Sequence, residues 1–316
     1  MTTSVADRLT TRTLVVLAAA LALAATAAGR LDAALQDRTA TTSTMFACGG
    51  PEVLTLTLRM EGDTVEIVKR TDWVAGQSEG MPPAMVPKFR TTDDCKPIDN
   101  GTRLLVTSSA DGLAIVERAT GKTEFYATVP NAHSAEILPG GRVVAAASTS
   151  PTGNRLILFD RTKSDVELFT TPLVSAHGTH WVEEERTLWA LGLTELRAYE
   201  LADWQSATPS LKLRKTFRLP SRGGHDLSPV PGTPQFVVTT VEEVLIFDRR
   251  TGEFTRHPEI GSLVDVKSVS IHPATGRTAF TMADPPNWWT HTVRFLGPDA
   301  TLTFSTDRLY KVRWLP

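Results

Sequence analysis

Short apolar runs of four to six residues recur along the chain, and turn residues separate them. Residues 142–146 read Arg-Val-Val-Ala-Ala and residues 155–161 read Arg-Leu-Ile-Leu-Phe-Asp-Arg; residues 236–240 and 244–249 repeat this pattern as Phe-Val-Val-Thr-Thr and Val-Leu-Ile-Phe-Asp-Arg. The runs are rich in β-branched residues, and they show no sustained 3.6-residue period. We therefore predict an all-β protein built from short strands.

The same unit recurs at a spacing near 43 residues, and each unit contains four short strands. Four strands at this period are typical of propeller blades. The unit starts, which are 39, 44, 48, 42 and 43 residues apart, are Asp94, His133, His177, His225, Lys267 and Tyr310.

The two ends of the chain predict how the blades close into a ring. The last unit stops after one strand, at residues 310–316, and three strands without a first strand stand at residues 45–69. We expect residues 311–315 to pair with residues 45–48, so that the C-terminal strand becomes the innermost strand of the N-terminal blade. The prediction is one six-bladed β-propeller with four-stranded blades over residues 45–316.

With these units the chain resembles six-bladed propellers of the WD40/YVTN-like superfamily. More narrowly, it resembles an uncharacterised family of secreted bacterial propellers whose blades open with His-rich turns. The resemblance covers about residues 45–316. It implies the fold alone, because one propeller architecture serves many functions.

The N-terminus has the features of a secretion signal. Two arginines precede an apolar run over residues 13–29, and Ala-Thr-Ala at residues 25–27 offers a small-x-small cleavage pattern. A membrane-spanning helix usually needs about 20 apolar residues, so we expect cleavage after residue 27 rather than a retained anchor. The expected organisation is a signal peptide (1–27), a linker (28–44) and the propeller, in a secreted protein without stable membrane insertion.

Composition and motifs narrow the range of functions. The 33 Lys+Arg and 35 Asp+Glu give a net charge of −2, which offers no basic surface for nucleic acid. The sequence has no phosphate-binding glycine loop, HExxH helix, GxSxG elbow or Cys-x-x-Cys, which argues against dehydrogenases, kinases, zincins and α/β-hydrolases. We expect a monomer whose partner is a small molecule or an oligosaccharide.

The two cysteines are predicted at neighbouring strand ends of the first two blades. Cys48 ends a second strand and Cys95 begins the first strand of the next blade. In an oxidising compartment such a pair can form a disulfide, and this is our expectation. The alternatives are two buried thiols, or Cys95 as a site residue beside Asp94.

The first strand of each blade lines the channel of a propeller, so the opening residues of the six blades should form rings. The outer ring consists of the six unit starts, and three positions deeper lie Pro97, Glu136, His180, Ser228, Ser270 and Arg313. Four of the seven histidines fall in these rings. Imidazole is the commonest metal ligand, so we predict that His133, His177 and His225 hold one divalent metal ion, either Zn, Mn, Fe or Ni.

The first functional hypothesis is a secreted lyase or hydrolase that acts on an acidic saccharide or another anionic small molecule. His180, Lys267 or Tyr310 would exchange protons. The predicted substrate-binding residues in the rings are Asp94, Glu136 and Arg313. This plan is similar to that of the oligogalacturonate lyases, propellers whose histidines from different blades hold a metal, although no motif matches theirs residue by residue.

The second hypothesis is a non-catalytic propeller of the cell envelope that binds a ligand or a protein. Trp288 and Trp289 stand in a Pro-rich loop expected on the same face as the outer ring. They could stack on a sugar ring, as part of the substrate site, or pack beneath the loop. A channel that is merely polar and solvated is the structural alternative to both functions.

Overall fold

Six four-stranded antiparallel sheets follow one another along the chain and form a ring. The computed structural model describes residues 40–316, so the predicted signal peptide and most of the predicted linker lie outside the described residues. The sheets confirm the predicted six-bladed propeller. Between residues 40 and 316, no helix combines the length and apolarity needed to cross a membrane.

The blades are numbered from the N-terminus. Blade 1 contains β1 (Thr41–Gly49), β2 (Glu52–Glu61), β3 (Thr64–Val74) and β24 (Leu309–Trp314). Blade 2 contains β4 (Thr92–Ile98), β5 (Arg103–Ser108), β6 (Gly112–Glu117) and β7 (Thr123–Thr128). Blade 3 contains β8 (Ala132–Leu138), β9 (Arg142–Ala147), β10 (Arg155–Asp160) and β11 (Glu167–Pro172).

The second half of the ring repeats this order. Blade 4 contains β12 (Gly178–Val182), β13 (Thr187–Leu191), β14 (Glu195–Ala202) and β15 (Ser210–Arg218). Blade 5 contains β16 (Asp226–Pro229), β17 (Gln235–Thr239), β18 (Val244–Asp248) and β19 (Glu253–Arg256). Blade 6 contains β20 (Val266–Ile271), β21 (Thr278–Met282), β22 (Thr292–Leu296) and β23 (Ala300–Thr303). Two short 3-10 helices, Ala75–Gln77 and Val86–Phe89, connect blades 1 and 2.

The C-terminal strand closes the ring as predicted. β24 pairs with β1, where Met45 lies opposite Trp314 and Cys48 lies opposite Lys311. β1 begins at Thr41 rather than at residue 45, because residues 41–44 pair with residues 57–60 of β2. These four residues therefore belong to blade 1 and not to the linker.

Apolar side chains pack between neighbouring blades, and each of the six blade-to-blade contacts has its own cluster in the described part of the chain. In β9, Val143 and Ala145 face blade 2, whereas Val144 and Ala146 face blade 4. Both faces of such a strand are buried, which explains why the second and third strands read as continuous apolar runs rather than as alternating ones.

The innermost strands are β4, β8, β12, β16, β20 and β24, and each contacts its counterparts in both neighbouring blades. Polar and charged side chains from these six strands fill the centre of the ring. The candidate functional residues therefore belong to one set of strands around one axis.

Candidate functional site at the channel mouth

A β-bulge near the start of the channel strands decides which side chains meet at the mouth. In β4, β8, β20 and β24 the pairing register shifts by one residue, at Asp93, His133, Lys267 and Tyr310 respectively. A bulge leaves one residue unpaired and re-aims its side chain. His177 and His225 take the equivalent positions just before β12 and β16. We call this set the mouth layer: Asp93, His133, His177, His225, Lys267 and Tyr310.

The mouth layer corrects one predicted position. The sequence alignment placed Asp94 beside the histidines, but the bulged residue of β4 is Asp93, and Asp94 lies one position deeper. Two consecutive aspartates stand at this point, and spacing alone does not tell which one occupies the bulge. The same slip makes Lys96, not Pro97, the blade 2 counterpart of Glu136.

The three predicted histidines lie next to one another. The ring centroids of His133 and His177 are 4.1 Å apart, and those of His177 and His225 are 5.3 Å apart. His177 Nδ1 donates to the carbonyl oxygen of Ser175 at 2.9 Å, which leaves Nε2 as a proton acceptor. Burial, and then repulsion from His133 and His225, holds the pKa of His177 well below its usual value, so His177 is neutral near pH 7.

Lys267 and His225 form a hydrogen-bonded pair at the mouth. Lys267 Nζ donates to His225 Nε2 at 2.9 Å and to Asp265 Oδ1 at 3.1 Å. Burial lowers the pKa of Lys267, although Asp265 opposes this. Burial and the nearby ammonium hold the pKa of His225 well below its usual value. Lys267 therefore releases its proton more readily than an exposed lysine does.

Asp93 and His133 lie side by side in the mouth layer. His133 Nδ1 donates to the carbonyl oxygen of Asn131 at 2.9 Å, and His133 Nε2 lies 3.5 Å from Asp93 Oδ1. Because Nδ1 already carries a hydrogen, the contact between Nε2 and the carboxylate is favourable only with a further proton between them. Burial raises the pKa of Asp93 and lowers the pKa of His133, and their mutual attraction partly offsets both shifts. The two groups therefore form a buried acid–base pair beside His177.

Tyr310 and Trp288 complete the entrance. Tyr310 is 3% exposed, and burial followed by the charge of Asp93 raises its pKa well above the usual value, so its hydroxyl stays protonated. Trp288 is 41% exposed and lies edge-on to Tyr310 at 5.5 Å. Trp289 instead packs beneath the loop against His291, at 4.9 Å. Only one of the two predicted tryptophans therefore reaches the mouth.

Four buried charges close the channel directly below the mouth layer. Arg313 binds Asp94 through Nε (2.9 Å) and Nη2 (3.1 Å), and binds Asp226 through Nη1 (2.8 Å) and Nη2 (2.6 Å). Lys311 Nζ lies 3.2 Å from Asp226 Oδ1 and 3.8 Å from Asp94 Oδ2. We call these two aspartates, Lys311 and Arg313 the charged plug.

The charges of the plug satisfy one another. Burial alone would raise the pKa of Asp94 and Asp226, but Arg313 and Lys311 outweigh it and hold both pKa values below the usual range. Burial alone would lower the pKa of Arg313, but the aspartates raise it well above its usual value. The expectation that Arg313 is free to bind a substrate carboxylate is not met, because two carboxylates of the protein already occupy its guanidinium.

A second polar cluster lies on the other side of the plug. Lys96 Nζ donates to the carbonyl oxygen of Thr179 at 2.5 Å and lies 3.3 Å from Glu136 Oε2, which is 3.5 Å from His180 Nδ1. Burial alone would raise the pKa of Glu136, but Lys96 and His180 outweigh it and lower the pKa. Glu136 and His180 do not share a site with Lys267, because they stand three residues further along their strands than the mouth layer.

The donor set of the mouth does not fit a metal ion. Across residues 40–316, no group of three or more His, Cys, Asp or Glu side chains is arranged to hold one. His225 Nε2, which would be a ligand, accepts a hydrogen bond from Lys267. We therefore derive no step through a metal held by His133, His177 and His225.

The disulfide prediction is wrong. Cys48 and Cys95 are both free and buried, and Cys48 Sγ donates to the carbonyl oxygen of Lys311 at 3.6 Å. Burial and the neighbouring Cys95 thiol raise the pKa of Cys48 well above its usual value. The structure has the alternative arrangement, two buried thiols at the contact between blades 1 and 2.

Four charged residues of the channel have no site role in the prediction from sequence: Asp93, Lys96, Asp226 and Lys311. A signal for Lys311 was present, because Lys311 and Arg313 alternate with Val312 and Trp314 in the last strand. A period of two puts alternate side chains on one face of a strand. The pattern therefore places Lys311 beside Arg313, and the charge of Asp226 provides its partner.

The fold and its centre define a six-bladed β-propeller with an ionisable channel mouth. The chain belongs to DUF6528, a family of unknown function, whose model matches residues 71–316. No curated protein matches the chain in sequence.

Chains of two solved structures are similar to this chain. A chain in the crystal structure of the nidogen/laminin complex matches with a TM-score of 0.58 at 14% identity, over 87% of this chain and 99% of that chain. A chain of Kuenenia stuttgartiensis hydrazine synthase matches with a TM-score of 0.48 at 14% identity, over 67% of this chain and 65% of that chain. The likeness to the nidogen/laminin chain, at 14% identity, shows the fold alone.

Proposed function

We propose that this protein is an enzyme that acts on an acidic saccharide or another small anionic molecule by acid–base chemistry at the mouth layer, as a lyase or a hydrolase. The observation that carries the proposal is the pair formed by Lys267 and His225. Its ammonium is buried, has a lowered pKa and contacts an imidazole acceptor at 2.9 Å. Lysines in such surroundings serve as acids and bases near neutral pH.

Each group of the mouth has a role in this chemistry. The ammonium of Lys267 attracts the anionic group of the ligand and exchanges a proton with it. The hydroxyl of Tyr310 stays protonated and donates to an oxygen on which negative charge develops. His177 Nε2 accepts a proton, and Asp93, whose pKa is raised by burial, donates one in its protonated form.

The charged plug supports a site that opens on one face only. Lys311 and Asp94 are 0% and 1% exposed at their side chains, so the channel is filled at this level. A ligand would enter and leave past Trp288, the exposed aromatic residue beside Tyr310.

The test replaces Lys267 by methionine, which keeps the length of the side chain and removes the charge. The purified protein is incubated with uronate oligosaccharides, and unsaturated products and new reducing ends are measured. We expect turnover by the wild type and a loss of about 100-fold in kcat/KM in Lys267→Met, the typical contribution of one acid–base group. Lys122→Met, at an exposed lysine paired with Glu79, is the control and should keep wild-type activity. Equal activity in wild type and Lys267→Met would contradict the assignment.

The second candidate function is ligand capture without turnover. The exposed ring of Trp288 favours it, because an aromatic face at a polar mouth suits stacking on a sugar. Calorimetry with the same oligosaccharides should show binding without products, and Trp288→Ala should weaken the binding at least tenfold. Products in the first assay would exclude this alternative.

We also propose that the protein is secreted and acts outside the cytoplasm. Support comes from the apolar run and cleavage pattern of residues 13–29. The intact mass of protein from culture medium should correspond to an N-terminus close to residue 28. A chain that keeps Met1 and stays with membranes would show an anchor instead.

A further inference from the structure

A groove of about 530 Å³ lies between blades 1 and 2. None of the residues that line it belongs to the mouth layer. Its volume falls within the range of ligand sites, roughly 300–1,000 Å³. One wall is the sheet face of β1, β2 and β3, and the other is the end of β6 with the turn that follows it.

The wall in blade 1 is a surface of hydroxyl groups with one ammonium. Thr57 of β2 lies between Thr44 of β1 and Lys69 of β3, and Thr55 lies opposite Thr71. All five side chains line the groove. Neighbouring hydroxyl groups and a lysine can bind the hydroxyls and the charge of a polar ligand.

Arg118 lies on the opposite wall. The arginines at the equivalent position in two other blades each pair with a carboxylate. Arg161 follows the third strand of blade 3 and binds Asp99 of blade 2, with Nη2 at 2.9 Å from Oδ2. Arg249 follows the third strand of blade 5 and binds Glu185 of blade 4, with Nε at 2.9 Å from Oε1. In both cases the carboxylate lies in or beside the turn between the first and second strands of the preceding blade.

Blade 1 has no such turn, because its first and second strands come from opposite ends of the chain. β24 ends at Trp314 and β1 begins at Thr41. Within residues 40–316, blade 1 therefore offers Arg118 no carboxylate from such a turn. Among the described residues, Arg118 takes part in no ion pair.

The guanidinium of Arg118 is held in place but is not fully satisfied. Nη1 donates to the carbonyl oxygen of Gly101, and the group lies over the ring of Phe46 at 4.9 Å. Nε is buried and has no hydrogen-bond partner between residues 40 and 316. Burial without a counter-charge lowers the pKa of Arg118, and a bound anion would remove that cost.

The charges around the groove favour a ligand with one negative charge. Asp72 contacts Arg70 at 2.7 Å, but Arg70 also binds Asp307 at 2.7 Å. The four ionisable residues that line the groove, Lys69, Asp72, Glu117 and Arg118, therefore sum to zero charge. One carboxylate held by Arg118 and Lys69 disturbs this balance less than a phosphate dianion does.

We propose that the groove between blades 1 and 2 binds a small hydroxylated ligand through one carboxylate, with Arg118 as its anchor, Lys69 as a second cation and the threonines as hydroxyl partners. The site is separate from the mouth layer and does not depend on the function proposed there.

A matched groove between blades 4 and 5 provides the comparison. It has a volume of about 440 Å³ and contains Arg249 at the position equivalent to Arg118. Because Glu185 already pairs with Arg249, this groove should not bind a carboxylate.

The experiment titrates D-glucuronate into the protein and follows the Nε–Hε resonance of Arg118 by NMR, assigned from its absence in Arg118→Gln. Glucose is the neutral probe and inorganic phosphate is the dianionic probe. We expect a saturable shift with glucuronate, a dissociation constant at least tenfold higher for glucose, and weaker binding of phosphate. The Nε–Hε resonance of Arg249 should not move.

Variants separate this groove from the mouth. Arg118→Gln should weaken glucuronate binding at this site at least tenfold in calorimetry, whereas Arg249→Gln should change it less than twofold. The calorimetry is performed with Lys267→Met in all chains, so that the mouth does not contribute. If Arg118→Gln does not fold, Arg118→Lys provides the assignment and the wild-type resonance decides. An Arg118 resonance that does not respond to glucuronate, or that responds equally to glucose, overturns the proposal; tighter binding of phosphate overturns the carboxylate assignment.

Discussion

Replacing Arg313 by methionine removes the guanidinium that joins the two buried aspartates at the centre of the ring. Arg313 makes four hydrogen bonds of 2.6–3.1 Å to Asp94 and Asp226. In Arg313→Met, Lys311 is the one cation of the plug that remains, at 3.8 Å from Asp94 and 3.2 Å from Asp226. The plug then carries one uncompensated negative charge in a place without solvent.

The expected loss is about 3–5 kcal/mol, the cost of removing one partner from a buried ion pair. The free energy of unfolding of a domain is about 5–15 kcal/mol, so this loss is a large part of the stability of the protein. Urea unfolding at pH 7 measures it. The exposed pair of Arg59 and Glu66 supplies the control, since each side chain is 52% exposed, and Arg59→Met should cost less than about 1 kcal/mol.

A double variant tests whether charge balance is the cause. Asp226→Asn together with Arg313→Met leaves one aspartate, Asp94, opposite Lys311 and restores neutrality. We expect a coupling of about 1–3 kcal/mol between the two changes, so that the double variant is more stable than the sum of the single variants predicts. Additive losses, or a loss below about 1 kcal/mol for Arg313→Met, would refute the reasoning.

The same plug predicts an acid dependence. The folded-state pKa values of Asp94 and Asp226 are depressed, so their stabilisation is complete above the unfolded pKa, near 3.9, and is lost as the pH falls toward the folded values. Without Arg313 the folded-state pKa values of the two aspartates are depressed less. The free energy of unfolding should therefore fall less steeply below about pH 4 in Arg313→Met than in the wild type.

Three further predictions concern other parts of the molecule. Deleting residues 309–316 should prevent cooperative thermal unfolding, because it removes β24 and two charges of the plug together; deletion of Pro316 alone is the control. Neither cysteine should react with a thiol reagent in the native state, and both should react in denaturant; a reactive native thiol would show that Cys48 or Cys95 is not buried. Binding of an anionic ligand at the mouth should weaken as the pH rises through the lowered pKa of Lys267, which lies below the pKa of an ordinary lysine. Lys267→Met should show no such pH-dependent step, and equal pH profiles of the two proteins would contradict the role of this ammonium.

The sequence by itself determined the propeller and its closure. The period near 43 residues and the four strands per unit are local properties, because each of blades 2 to 6 forms its sheet within about 45 consecutive residues. The truncated last unit and the incomplete first unit predict the pairing of β24 with β1, since an unpaired strand at either end would leave open edges. The same reasoning placed His133, His177, His225, Lys267 and Tyr310 around one axis.

Only the tertiary structure decided how those side chains are used. The β-bulge of β4 puts Asp93 at the mouth and lowers Asp94 into the plug, a difference of one residue that reverses the role of each carboxylate. The partners of Arg313 are 219 and 87 residues away along the chain, and no local pattern names them. Whether Arg313 and Arg118 contact a carboxylate depends on which blades are neighbours and on where the first and last strands join the ring. The contacts between blades exist only when the ring is closed.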